Sequence, residues 1–191
     1  FHGRCQHAWW VAQGWLLAIG IGVLSSLSGC LIDVSTRVLA SVRFGYCSAR
    51  PLAPEEWCPQ DSWVSWGAGA FGVSMSVCLG VLMAVLAALL CHLWAPAAVG
   101  SGIPEVKTIL NGFVLPEVVA LRTLLVKVPG LALSVASGMS LGKEGPLVHV
   151  AVCWAQLLSG LFPQFQNEGK RRELFSAGAA AGVSTAFGAP L

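Results

Sequence analysis

The two longest stretches of this chain without Asp, Glu, Lys or Arg contain Ala8–Ile32 and Ser62–Trp94. Each is longer than the roughly 20 apolar residues that a helix needs to cross the hydrocarbon of a bilayer. Composition agrees, with 55% hydrophobic and only 10% charged residues among 191 and a mean hydropathy of +0.73; soluble domains carry roughly 25% charged residues. The expected class is an all-α polytopic membrane protein. A net charge of +2 without a basic stripe interleaved with aromatics leaves nothing for nucleic acid to bind.

The chain starts at Phe1 rather than Met and stops at Leu191 inside an apolar run of small residues. It reads as a fragment, residues 1–191 being part of one transmembrane domain, and no signal peptide can be read from it. Phe1–His7 is polar, with Arg4, and Trp9, Trp10 and Trp15 suit the headgroup level at the start of a span. Asp33 and Arg37 stand four apart after the first uncharged run, as a solvated face or an ion-paired turn. Ser41–Asp61 is the longest polar connection; it holds Pro51, Pro54 and Pro59, and its charges nearly cancel, which suits a luminal or extracellular loop.

The second run is expected to span as an antiparallel partner of the first, with Gly67, Gly69, Gly72 and Gly80 as its smooth packing face and Pro96 as its end. Shorter helical segments follow. These are Pro104–Leu110, Leu121–Ser137 (interrupted by Lys127 and kinked at Pro129-Gly130), and Pro146–Phe162, closed by Pro163. A polar link, Gln164–Glu173, carries Lys170-Arg171-Arg172 and leads to an Ala/Gly-rich helix, Leu174–Phe187. Short hydrophobic segments interrupted by Gly and Pro are the usual sign of a transporter-type site near the midplane.

Of seven cysteines, Cys30, Cys78, Cys91 and Cys153 lie in apolar segments as packing residues. Cys47 and Cys58 share the polar loop and can pair if that loop faces an oxidising compartment. No Cys/His spacing supports a metal site, and no cofactor is implied.

One device occurs twice. Gly100-Ser101-Gly102-Ile103-Pro104 and Gly142-Lys143-Glu144-Gly145-Pro146 are glycine-flanked turns with a proline four residues after the first glycine, each opening a helical segment. Proline at the first helical position after glycine is helix-start chemistry. A helix start offers unpaired N–H groups and the positive end of a dipole, so it can hold an anion without a full cation. A single such turn reads more readily as an ordinary connection between packed helices.

Glu144 is the outlier, a carboxylate between two glycines at a helix start with apolar flanks. An ionisable group at membrane depth is a functional hypothesis by default; the alternative is a first-turn glutamate that merely suits the dipole. Such a carboxylate can occupy the anion position itself and vacate it once protonated. Ser101 offers a neutral O–H donor to a desolvated anion, or simply caps a helix. Lys143 adds positive potential at the entrance or snorkels. Glu105 and Lys107 read as capping and interfacial residues, and His149 as a packed or interhelical hydrogen-bonding group.

At these residues the chain resembles the CLC family of chloride channels and chloride/proton exchangers. The matching motifs are Gly100–Pro104 with Glu105 and Lys107, Gly142–Pro146, and the Ala180–Pro190 stretch around Phe187-Gly188-Ala189-Pro190. The continuous likeness runs from Pro96 to Leu191. Ser137-Gly138-Met139-Ser140-Leu141 and Leu147-Val148-His149-Val150 are most similar to the intracellular eukaryotic exchangers.

The resemblance implies a CLC-type fold with broken, re-entrant helices, this chain being the first of two inverted repeats. It implies that Ser101, with Gly102 and Ile103, contacts a central chloride and that Gly145, Pro146 and Leu147 line an outer anion site. Glu144 would be the gating and proton-carrying glutamate, and Lys143 would supply entrance electrostatics. Serine at 101, where nitrate-preferring plant relatives carry proline, favours chloride. The family implies a homodimer with one pore per subunit in an intracellular membrane (endosomal, Golgi or vacuolar). The second-half anion-binding helix start and its tyrosine, an inner proton-relay glutamate beyond Leu191 and the cytoplasmic nucleotide-binding domains are expected outside this chain.

Chloride/proton antiport is thus the expected function. A passive, voltage-gated chloride channel of the same family shares Glu144 and Ser101. A membrane-embedded enzyme using Glu144 and His149 as acid and base is more remote, because no H-E-x-x-H, G-x-S-x-G or carboxylate cluster accompanies them.

Overall fold

The computed structural model describes residues 2–50, 53–67 and 69–189, with all their side chains except those of 2–9, 11 and 60. The side chains of Arg4 and Trp9, and all of Phe1, Pro51, Pro190 and Leu191, lie outside the described residues. The α-helices in chain order are α1 (His2–Val42), α2 (Ala70–Trp94), α3 (Ile103–Leu110), α4 (Leu121–Ala136), α5 (Glu144–Ser159) and α6 (Glu168–Phe187). Between α1 and α2 lies a small antiparallel hairpin, β1 (Gly45–Cys47) and β2 (Trp63–Ser65), with Tyr46 opposite Val64.

Helix α1 runs for 41 residues without a break, about 60 Å at 1.5 Å per residue, so it outlasts the roughly 30 Å hydrocarbon layer. Its buried residues, Leu17, Ile21, Ser25, Ser28 and Ile32, recur every three or four positions and face α4, α5 and α6. Trp15, Leu16, Ile19, Val23, Leu27 and Leu31 are apolar and exposed on its other side. A helix that is apolar on both faces while one stays uncovered belongs in lipid or against further protein. Only α1, over Ala12–Val42, and α2 are long and apolar enough among the described residues to cross a membrane. At 8 residues α3, and at 16 each α4 and α5, fall short of that length.

Four expectations are corrected. Ser62–Gly69 is not helical: Trp63–Ser65 pairs with β1, and Gly67 turns with φ +91° before α2 begins at Ala70. Gly72 and Gly80 alone of the four glycines therefore lie in the span. Helix α2 packs mainly on α4 rather than on α1, because α4 lies against both. The polar link 164–173 is largely helix, since Asn167 caps α6 by accepting the Gly169 N–H at 2.9 Å and the basic trio follows in the first turns. The third short helix spans Glu144–Ser159 rather than Pro146–Phe162, and Pro163 starts a separate 3-10 turn.

Small residues set the closest packing. A methyl group at Gly182 of α6 would lie 2.6 Å from the Val148 Cα and 3.0 Å from the Ala151 Cβ of α5, and one at Gly178 3.0 Å from the Ala155 Cβ. The two backbones touch there, as small residues allow in lipid, where no hydrophobic drive joins helices. Leu17 and Ile21 of α1, Val106 and Ile109 of α3, Val152 of α5 and Phe175 of α6 form one apolar cluster, which pins the short α3 between longer helices.

Arg43, just past the end of α1, ties that end to α2 and to the end of α4. It donates from Nη1 to Ala136 O at 3.2 Å and from Nε and Nη2 to Ser76 O and Oγ at 3.5 Å. Cys47 and Cys58 are disulfide-bonded, tying the end of β1 into the connection that joins the two strands.

Candidate functional site

Gly100 and Gly102 have φ of +75° and +79°, a left-handed conformation that a Cβ disfavours. The chain can therefore reverse sharply on either side of Ser101 and enter α3. Pro104 sits second in α3 and Pro146 third in α5, rather than first as expected. The physics is unchanged, because no N–H in the first turn has an intrahelical partner to lose.

The two turns meet. A Cβ at Gly145 would stand 3.0 Å from the Ser101 Cβ and 3.3 Å from the Ile103 Cδ1, so the start of α5 lies directly on the start of α3. Glu144 is the first residue of α5 and half-buried; its carboxylate folds back over Gly142, filling the space a side chain there would need. Ser101 Oγ accepts the Ile103 N–H at 3.4 Å, which leaves the hydroxyl proton free to donate. Gly100, Ser101, Gly142 and Pro146 border a cavity of about 600 Å3 that continues between α2 and α4.

The other residues singled out are placed differently. The Leu147 N–H is bonded to Lys143 O at 3.1 Å, and Pro146 has none. Gly145 is thus the position of the three whose amide keeps no partner among the described residues. Lys143 Nζ lies 2.5 Å from Asp33 Oδ1 of α1. Asp33 is therefore not paired with Arg37, which reaches Glu56 instead at 3.2 Å. Lys143 and Leu147 line a second cleft, of about 760 Å3, with Asp33, Arg37 and the Ser184–Gly188 end of α6. At that end Gly188 has φ +61° and closes the helix.

Gly102 faces away from both openings. Its missing Cβ leaves room for the fully buried His149 ring, whose Nε2 lies 2.8 Å from Val118 O. A carbonyl only accepts, so Nε2 carries the proton, and Nδ1 is buried without a partner.

One residue of the site escaped the sequence reading. Lys127 of α4 is 3% exposed, and its ammonium donates to Ala98 O at 3.1 Å and Gly100 O at 2.9 Å. The signal was present: it is a lone cation in an apolar helix, the same argument that singled out Glu144. Its neighbour Pro129 drew attention to a kink instead.

Residues 83–191 match the family described as voltage gated chloride channel. The chain is similar to the H(+)/Cl(-) exchange transporter 5 of Homo sapiens, at 43% identity over 204 residues covering 94% of this chain and 25% of the relative. It is also similar to the H(+)/Cl(-) exchange transporter 3 of Pongo abelii, at 39% identity over 206 residues covering 94% and 26%. It spans about a quarter of the length of these curated relatives. Among solved structures it resembles a eukaryotic CLC transporter, with a TM-score of 0.76 and 28% identity over 95% of this chain and 32% of that one.

Proposed function

Because this chain belongs to the voltage-gated chloride channel family, we propose that it forms the first half of a chloride-transporting membrane domain and works there as part of a chloride/proton antiporter. The observation that carries this is the seating of Gly145 on Ser101 and Ile103, which brings two helix starts to one place. Unpaired N–H groups and two dipole ends then act on the same small volume, and the Ser101 hydroxyl adds a neutral donor. An anion held by such donors binds without a counter-cation, and so weakly enough to leave.

Glu144 stands at the start of α5 and competes with chloride for this volume, since two negative charges at contact repel strongly in a low-dielectric site. Protonation removes its charge, lets chloride in and loads the proton that is exchanged. Ile103, Pro146 and Leu147 shape the anion path, Gly102 lets the Ser101 turn close over His149, and Lys143 sets the entrance potential together with Asp33. Transport rather than membrane-embedded acid–base catalysis is the role, in a homodimer residing in an intracellular membrane.

The test is proton flux driven by a chloride gradient in vesicles holding the full-length parent protein, with and without Glu144→Gln. Uphill proton movement that vanishes in the mutant, while anion flux persists, is the expected result. Unchanged proton/anion stoichiometry in the mutant would refute the role of Glu144. Anion current without proton movement in either protein selects the second reading, a passive channel gated by Glu144, which the family's own description favours.

A further inference from the structure

Lys127 is buried, and none of the ion pairs among the described residues involves it. Its partners are two backbone carbonyls, of Ala98 and Gly100, immediately before Ser101. Taking a charge out of water is costly unless hydrogen bonds replace its hydration, so these two bonds hold both sides firmly. The geometry has a directional consequence. A trans peptide is planar with its C=O and N–H on opposite sides. Turning the Gly100 carbonyl toward Lys127 therefore turns the Ser101 N–H away from it. The turn's negative oxygens are drawn onto the ammonium, and the Ser101 N–H is left for whatever binds in front.

We infer that Lys127 is a positioning residue for the anion site: it holds the acceptor atoms of the 98–100 turn inward, so that the Ser101 hydroxyl and amide are the polar groups left for chloride. This rests on the reading of Ser101 given above. Without the ammonium the two carbonyls lose their partner, and either one swinging outward would meet chloride with a negative dipole end. Lys127 spends its hydrogen bonds on the turn, and it acts through Ser101.

The experiment measures the chloride concentration for half-maximal flux, and the chloride/nitrate ratio, in the full-length parent protein and its Lys127→Met, Lys127→Gln and Lys127→Arg variants. Lys127→Met loses both bonds and is expected to raise half-maximal chloride by about tenfold, the scale of losing the one that orients the Gly100 carbonyl. It should also lower the chloride/nitrate ratio. Lys127→Gln keeps an N–H donor without charge and should fall clearly nearer the wild type, with Lys127→Arg nearer still. A Lys127→Gln variant as impaired as Lys127→Met means that only a distant charge matters and overturns positioning. So does a Lys127→Met variant that matches the wild type. If Lys127→Met does not fold, the Gln and Arg variants decide: small shifts with normal thermal midpoints support the inference, and a shift of about tenfold in Lys127→Gln overturns it. A wild-type protein that moves no anion removes the proposed function and this inference together, whereas normal wild-type flux with unshifted variants removes this inference alone.

Discussion

Gly145 packs against Ser101 with no room for a methyl group: a Cβ at 145 would lie 3.0 Å from the Ser101 Cβ. The residue after Glu144 thus determines how near Ser101 can lie to the start of α5. Gly145→Ala is expected to push the two helix starts apart by a few tenths of an ångström and to weaken chloride transport severalfold. Overpacking of this size costs about 1–3 kcal/mol of stability, so a lowered thermal midpoint is expected together with a shifted chloride concentration dependence of flux. An unchanged concentration dependence would argue that the two turns do not share one anion.

Ser101→Pro removes the hydroxyl, the backbone N–H and the bond that Oγ accepts from the Ile103 N–H. A ring carbon then faces the cavity where a donor stood. The expected outcome is a lower chloride/nitrate permeability ratio with flux retained. An unaltered ratio in anion-substitution recordings would count against Ser101 as a chloride contact.

Asp33 partly neutralises Lys143 over the cleft between α1 and α6. Both side chains are about two-fifths exposed, so the pair contributes no more than about 1 kcal/mol to stability. Its electrostatic effect is the more telling one. Asp33→Asn frees the Lys143 charge and should raise apparent chloride affinity at low ionic strength, an advantage that disappears above physiological salt because exposed charges are screened. Measuring affinity at both salt concentrations decides it.

Gly182 sits 2.6 Å from the Val148 Cα when a Cβ is added, and the obstacle is backbone that cannot rotate away. Gly182→Ala should destabilise the α5–α6 pair by about 1–3 kcal/mol and lower the thermal midpoint in detergent. Gly22, which has open space around the same added atom, is the matched control, and its alanine variant should unfold near the wild-type temperature.

Local pattern made much of this protein legible. Uncharged runs around Ile21 and Met83 identify the spans because hydrocarbon excludes charge over the whole length of a helix. Paired turns at Ser101 and Glu144 identify helix starts because glycine and proline restrict the backbone residue by residue. Cys47 and Cys58 were recognisable as a possible pair, but the three-residue strands beside them are too short to show an alternating pattern.

What tertiary structure alone decided is which of these local features share a place. Ser101 and Gly145 come from turns separated by all of α3 and α4, and Lys143 meets Asp33 across 110 positions. Nothing within either motif specifies such meetings. They follow from how α5 packs against both α3 and α1. The role of Lys127 was hidden for the same reason. A charge in an apolar helix announces that it must find partners, but only the packed chain shows that they are the Ala98 and Gly100 carbonyls.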